Sequence, residues 1–142
     1  MDAKLRYKAK KIKIIFFDID DTLRNSKTGF IPSTIPTAFK QLREKGILTG
    51  IATGRGIFGV VPEICDLKPD FFVTLNGAYI EDKKGQVIYQ HQIEKSDVEE
   101  YISWTKEVGI DYGLVGSHAA KLSRRTEMIS QAIDPIYPDL EV

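Results

Sequence analysis

The chain has 142 residues, and its 20 Lys and Arg are matched by 20 Asp and Glu. That length suits one ordinary domain, or one domain with part of a second. The zero charge balance offers no overall field to nucleic acid, an anionic membrane or a polyanionic partner, so any charge-driven function has to be local.

The leader up to Lys13 is basic and reads as a solvated lead-in; the competing reading is a nucleic-acid arm. Residues 12–19 are β-branched and aromatic on both alternating sides, which predicts a strand buried on two faces of a parallel sheet and ending in aspartates. A helix is predicted next. Ser33 or Thr34 offers an N-cap, Pro36 lies in the first turn, Ala38, Phe39 and Leu42 face inward, and Gly46 stops it. A second strand, "ILTGIATGR", leads through a glycine-bearing loop to a short helix around "VPEICDL" and a third strand, "FFVTL". This alternation of strand and helix predicts an α/β layer with right-handed crossovers: a Rossmann-like parallel sheet with helices on both faces.

Beyond Asn76 the pattern changes. "AYIEDKKGQVIYQHQI" reads as a hairpin turning at Gly85. Residues 96–109 read as an amphipathic helix capped by Ser96, with Val98, Tyr101, Ile102 and Val108 inward and Gly109 closing it. "IDYGLVG" is a predicted strand and "HAAKLSRRTEMISQAI" a predicted helix. The boundary is therefore placed between residues 1–77, a core layer, and 78–142, part of an α+β module. The one cysteine, Cys65, excludes an internal disulfide and a cysteine-based zinc cluster; it is expected to be a buried small apolar group in a reducing, cytoplasmic setting. No apolar run reaches transmembrane length, and Ile14 to Phe17 is too short for a signal peptide.

The chemistry concentrates at "FFDIDDTL". On a strand, i and i+2 share a face, so Asp18 and Asp20 are expected to project together beyond the carboxyl end, where open α/β sheets bind ligands. Paired carboxylates there cost free energy unless a cation or hydrogen bonds offset them, and oxygen donors suit a hard ion such as Mg²⁺. The plain alternative is a pair of solvated turn aspartates.

These residues resemble the first motif, hhhDxDxT/V, of the haloacid dehalogenase (HAD) superfamily of phosphohydrolases. "IATGR", Ile51 to Arg55, resembles its second motif, and "LNGAYI" resembles the Asn-Gly-Ala turn of its Cof-like branch. The resemblance implies a Mg²⁺-dependent phosphatase of small phosphorylated metabolites such as sugar or cofactor phosphates. Asp18 would be the nucleophile that becomes an aspartyl phosphate, and Asp20 the acid and then the base. Asp18 and the Asp20 main-chain carbonyl would hold Mg²⁺, while Thr53, Gly54, Arg55 and Asn76 would bind the phosphate. Asp21 departs from the commonest form, in which many members have glycine.

Each assignment has a bland counterpart. Thr53 to Arg55 is also an ordinary strand-to-loop turn, Asn76-Gly77 also a two-residue hairpin turn, and Arg55 either a phosphate ligand or a solvated loop residue. Lys121, Arg124 and Arg125 read as the wet side of a helix, His91 and His118 as surface residues, Tyr101 and Trp104 as packing. The lysine and the acidic Gly-Asp loop that the family places after its cap are not found; Asp134 and Asp139 stand among Pro135 and Pro138 with no such loop ahead of them. The chain is thus expected to be the front of a longer hydrolase stopping within the cap. The alternative is a short, catalytically incomplete phosphate- or metal-binding protein whose open sheet is covered by a second copy, a homodimer. Phosphomutase chemistry is a weaker option in the same family.

Overall fold

The computed structural model describes residues 11–134, 136 and 137; the basic leader to residue 10, Pro135, Pro138 and Asp139 lie outside them. Strands β1 (Ile14–Phe17), β2 (Leu48–Ala52) and β3 (Phe71–Thr74) pair in parallel, and the hairpin β4 (Tyr79–Asp82) and β5 (Val87–Gln90) extends the sheet antiparallel in the order β1-β2-β3-β4-β5. The crossovers are helices α1 (Thr34–Glu44) and α2 (Pro62–Cys65). The alternation expected for residues 14–74 is present.

Phe17, Ile51 and Phe72 stand in register across the three parallel strands. Phe39 of α1 packs on that row, its ring 5.0 Å from that of Phe17, and Ile64 of α2 completes a cluster with Ile19, Leu23, Val60 and Leu67. Both helices feed one face, for a topological reason. The strand order runs one way, and right-handed crossovers that step in one direction all lie on the same side of the sheet. Among the described residues the two crossover helices of residues 14–74 thus share one face. The opposite face carries Phe16, 47% exposed, which lies over Gly50 where no side chain could stand. The strand predicted to be buried on two faces is half open on that face and limited to four residues, and among the described residues it is the outer strand of the sheet.

Polar ties fix the layer. Past α1, Gly46 takes φ 68°, the left-handed region that favours glycine, and its N–H reaches Arg43 O while Ile47 N–H reaches Leu42 O. Arg43 Nη2 donates to Leu67 O at 2.9 Å, holding the helix end to the turn before β3. Asp70 accepts from Thr49 N–H at 3.0 Å and from Lys83 Nζ at 2.9 Å, joining β2 to the hairpin. Burial alone would raise the Asp70 carboxyl, but those two hydrogen bonds and the charges of Lys83 and Arg43 outweigh it and hold it below its ordinary value. Cys65 is exposed, not buried: in so short a helix one position points inward, and Ile64 takes it.

The hairpin forms as predicted, with Gly85 at φ 77°. The sheet runs unbroken from β3 into β4 across residue 78. Beyond it come α3 (Lys95–Val108), a two-stranded sheet of β6 (Gly113–Val115) and β7 (Ala120–Leu122), and α4 (Glu127–Ile133). The predicted cap Ser96 lies inside α3; Glu94 holds the N-cap position. Residues 120–122 are a strand rather than the start of a helix. Ala120 and Leu122 turn inward with Lys121 outward, a period of two that the helical pattern farther on had masked, and the helix starts only after Thr126, whose hydroxyl accepts from Ile129 N–H. Among the described residues no helix is long and apolar enough to cross a membrane.

Candidate active site

The loops at the carboxyl ends of β1, β2 and β3 converge on one cleft. After β1 the carbonyl of Ile19 accepts N–H groups from Leu23 at 3.0 Å and Arg24 at 2.9 Å, closing a tight turn. Ile19 and Leu23 anchor that turn in the core. Asp18 stands exposed at its start. Asp21 takes φ 59°, a conformation that glycine adopts without strain and aspartate tolerates, which accounts for the residue in place of the family's common glycine. Its carboxylate accepts from the Ser26 N–H at 2.9 Å and from the Ser26 hydroxyl at 2.8 Å. The main-chain N–H chiefly, then the hydroxyl, holds that carboxyl below the ordinary range. Asp21 therefore serves the loop.

After β2, Thr53 is buried, donates its N–H to Val73 O at 2.9 Å and accepts Arg55 N–H at its hydroxyl, 3.2 Å. Leu75, Asn76 and Gly77 all take positive φ, so Leu75 N–H reaches Arg55 O and Asn76 N–H reaches Thr53 O. The two-residue turn weighed for Asn76-Gly77 does not form, because residues 75–78 separate the paired Thr74 and Tyr79. Gly54 lets Asn76 come close: a Cβ there would stand 3.1 Å from Asn76 Oδ1, a tight contact. The resulting open cleft of about 350 Å³ is walled by Asp18, Ala52, Thr53, Gly54, Val73, Asn76 and Gly77.

Asp20 is placed differently. The strand ends at Phe17, so both Asp18 and Asp20 lie in the loop that follows it. Arg55 grips both Asp20 oxygens, Nε to Oδ2 at 3.0 Å and Nη2 to Oδ1 at 2.9 Å, and Arg24 Nη1 lies 3.7 Å from Oδ1. Arg55 is 6% exposed, and its Nη1 donates to Gly59 O and Ile136 O. It is therefore not a solvated loop residue. A planar fork on a carboxylate is the strong form of such a pair, yet its partners lie 35 positions apart in the chain. No local sequence signal connects them.

The remaining polar residues fall outside the cleft walls. Lys121 is exposed on β7, Arg124 pairs with Asp111 at 3.5 Å, and Arg125 pairs with Asp134. These cations thus sit on a strand and loop rather than on a helix. His91 and His118 are exposed, His118 bonding Ser117 and meeting the edge of Tyr79. Tyr101 and Trp104 are half exposed; their rings are tilted to each other at 6.3 Å, and Tyr101 also meets Tyr112 edge-on at 6.1 Å.

The Asp18 carboxylate and the Asp20 main-chain carbonyl are hard oxygen donors at one strand end, chemistry that fits Mg²⁺. Among the described residues no group of three or more His, Cys, Asp or Glu gathers to hold a metal.

The family model for haloacid dehalogenase-like hydrolases matches residues 15–135. This chain belongs to that family. It is 54% identical over all 142 residues to a Streptococcus pyogenes protein named as a bifunctional phosphatase/peptidyl-prolyl cis-trans isomerase, covering 30% of it, and 30% identical over 103 residues to Phosphatase YwpJ of Bacillus subtilis, covering 71% of this chain and 35% of that one. Among solved structures it is similar to the HAD subclass IIB sugar phosphatase BT4131, with a TM-score of 0.76 at 28% identity over 92% of this chain and 52% of that one. BT1666 of Bacteroides thetaiotaomicron gives 0.77 at 26% identity over 94% of this chain and 50% of that one. The HAD-like chain thus spans about a third of the curated relatives and half of the solved ones. The α/β fold and the family read from the three motifs are those found.

Proposed function

We propose that this HAD-like chain carries the nucleophile half of a Mg²⁺-dependent phosphatase acting on small phosphorylated metabolites, sugar or cofactor phosphates. The observation that supports it most is the single cleft in which Asp18, Thr53, Gly54 and Asn76 meet at the ends of three successive strands.

In that cleft a carboxylate oxygen of Asp18 attacks phosphorus while the bond to the leaving oxygen breaks, giving an aspartyl phosphate. Asp20 supplies the proton to the leaving oxygen, then takes one from the water that releases phosphate and restores Asp18. Thr53 and the main-chain N–H groups near Gly54 orient the phosphoryl oxygens, with Asn76 beside them. Mg²⁺ held by Asp18 and the Asp20 carbonyl would offset the phosphoryl charge. Arg55 enters through Asp20 rather than through the phosphate. The core is taken as residues 1–77 and the substrate-selecting module as 78–142, in the cytoplasm and with no nucleic-acid or membrane partner.

A second reading is an incomplete phosphate- or metal-binding protein that pairs with its own copy, favoured by the half-exposed Phe16 and Leu48 beside the open β1 edge. Hydrolysis of p-nitrophenyl phosphate with Mg²⁺ separates the two. The phosphatase reading expects turnover that ceases with EDTA and falls by at least about a thousandfold in Asp18→Asn. Turnover indifferent to Asp18→Asn would sink it, and no turnover with a dimer in sedimentation would favour the second reading.

A further inference from the structure

The segment Ile136–Tyr137 reaches back 81 positions to the loop that carries Arg55. Tyr137 is buried, and its hydroxyl accepts the Gly56 N–H at 2.7 Å. Its ring stacks on Phe58 with centroids 4.8 Å apart and fills the space that a Cβ at Gly59 would need. The Ile136 carbonyl accepts from Arg55 Nη1 at 3.3 Å, and the Ser117 carbonyl accepts Ile57 N–H at 3.0 Å. Loop 55–59 is therefore fastened on its outer side by three groups of the second module, while on its inner side Arg55 holds both oxygens of Asp20.

We propose that Tyr137 and the Ile136 carbonyl are positioning groups for Asp20, acting through Arg55, so that the seating of the second module sets where that carboxylate points. The physical reason is the rigidity of the fork. A guanidinium whose Nε and Nη2 both engage one carboxylate fixes that carboxylate in plane and rotation, and a shift of the arginine passes directly to it. The third nitrogen, on Gly59 O and Ile136 O, fixes the arginine in turn. The catalytic consequence rests on Asp20 being the acid and base of the proposed phosphatase; the mechanical coupling does not.

Tyr137→Phe tests it, since the stacking ring stays and only the acceptor for Gly56 N–H goes. The Arg55 Nε–H resonance of isotope-labelled protein is followed by NMR in wild type, Tyr137→Phe and Asp20→Asn, with the Ile51 amide as a control for intact folding. The coupling expects solvent exchange of Nε–H to quicken by about tenfold or more in both variants while Ile51 is unchanged. An Nε–H that keeps its shift and exchange rate in Tyr137→Phe overturns the coupling. Kinetics test the consequence separately. An alkyl phosphate needs a proton on its leaving oxygen and p-nitrophenyl phosphate does not, so in single-turnover measurements Tyr137→Phe should slow aspartyl-phosphate formation from the alkyl ester by about tenfold and from p-nitrophenyl phosphate little, while the hydrolysis step common to both, in which Asp20 is the base, slows alike. Equal slowing of aspartyl-phosphate formation from the two esters overturns the positioning of an acid. Absence of turnover in wild type removes the phosphatase reading and leaves the NMR result to decide the coupling.

Discussion

The two halves of the described chain are built on different terms. In residues 14–82, strands and crossover helices bury one continuous cluster: Ile19, Ile51 and Ile64 are 0% exposed and Phe39 2%. In residues 95–137 the secondary structure is equally regular, yet Tyr101, Trp104, Val108 and Ile110 of the α3 region are about half exposed, and Leu114 and Val115 of β6 also face outward. The inward residues there are few: Thr105, Ala120, Leu122 and Tyr137. The first half is held by apolar burial within itself, the second by local hydrogen bonds and by its seat on loop 55–59. Regular backbone and a packed core are separable achievements, and a chain can have the first without much of the second.

The largest effect that tests this contrast is removal of a core anchor. Phe39→Ala should cost roughly 3–5 kcal/mol in urea unfolding, because the cavity it leaves lies between α1 and the Phe17, Ile51, Phe72 row. A loss near that of an exposed site would mean that this half is not the stability-bearing one.

An intermediate effect is expected at Asp70, which ties β2 to the hairpin. Asp70→Ala leaves the buried Thr49 N–H without its acceptor, a loss of roughly 1–3 kcal/mol near neutral pH. The folded carboxyl lies below its ordinary value of 3.8, so its contribution is complete above that value and is lost as pH falls through the lower folded one. The difference between wild type and Asp70→Ala should therefore be flat near neutrality and narrow below about pH 4. A difference that grows with acid would contradict the assignment.

The smallest effect belongs to the second half. Trp104, 50% exposed on α3, should cost less than about 1 kcal/mol on change to Ala. A loss as large as that of Phe39→Ala would show that this face of α3 is covered in solution.

Much of the first half was legible because its signals are local. The period of the strands, the Pro36 and Gly46 limits of α1 and the turn at Gly85 depend on neighbours within a few residues. The three motifs marked the strand ends that wall the cleft. The strand at 120–122 was missed because three residues give a period of two little room beside a longer helical pattern. The Asp20–Arg55 pair was not legible because its partners lie 35 positions apart in the chain.

By itself, the sequence determined the order of elements through the hairpin, the family, and which residues close on the cleft: Asp18, Thr53, Gly54 and Asn76 each lie within two residues of a strand whose end the local pattern sets. Only the tertiary structure decided which face of the sheet the helices cover, that β1 is the outer strand among the described residues, that Arg55 grips Asp20, and that Tyr137 reaches loop 55–59. Those outcomes depend on crossover direction and on which distant groups satisfy one another once water is excluded, and neither is written in the spacing of near neighbours.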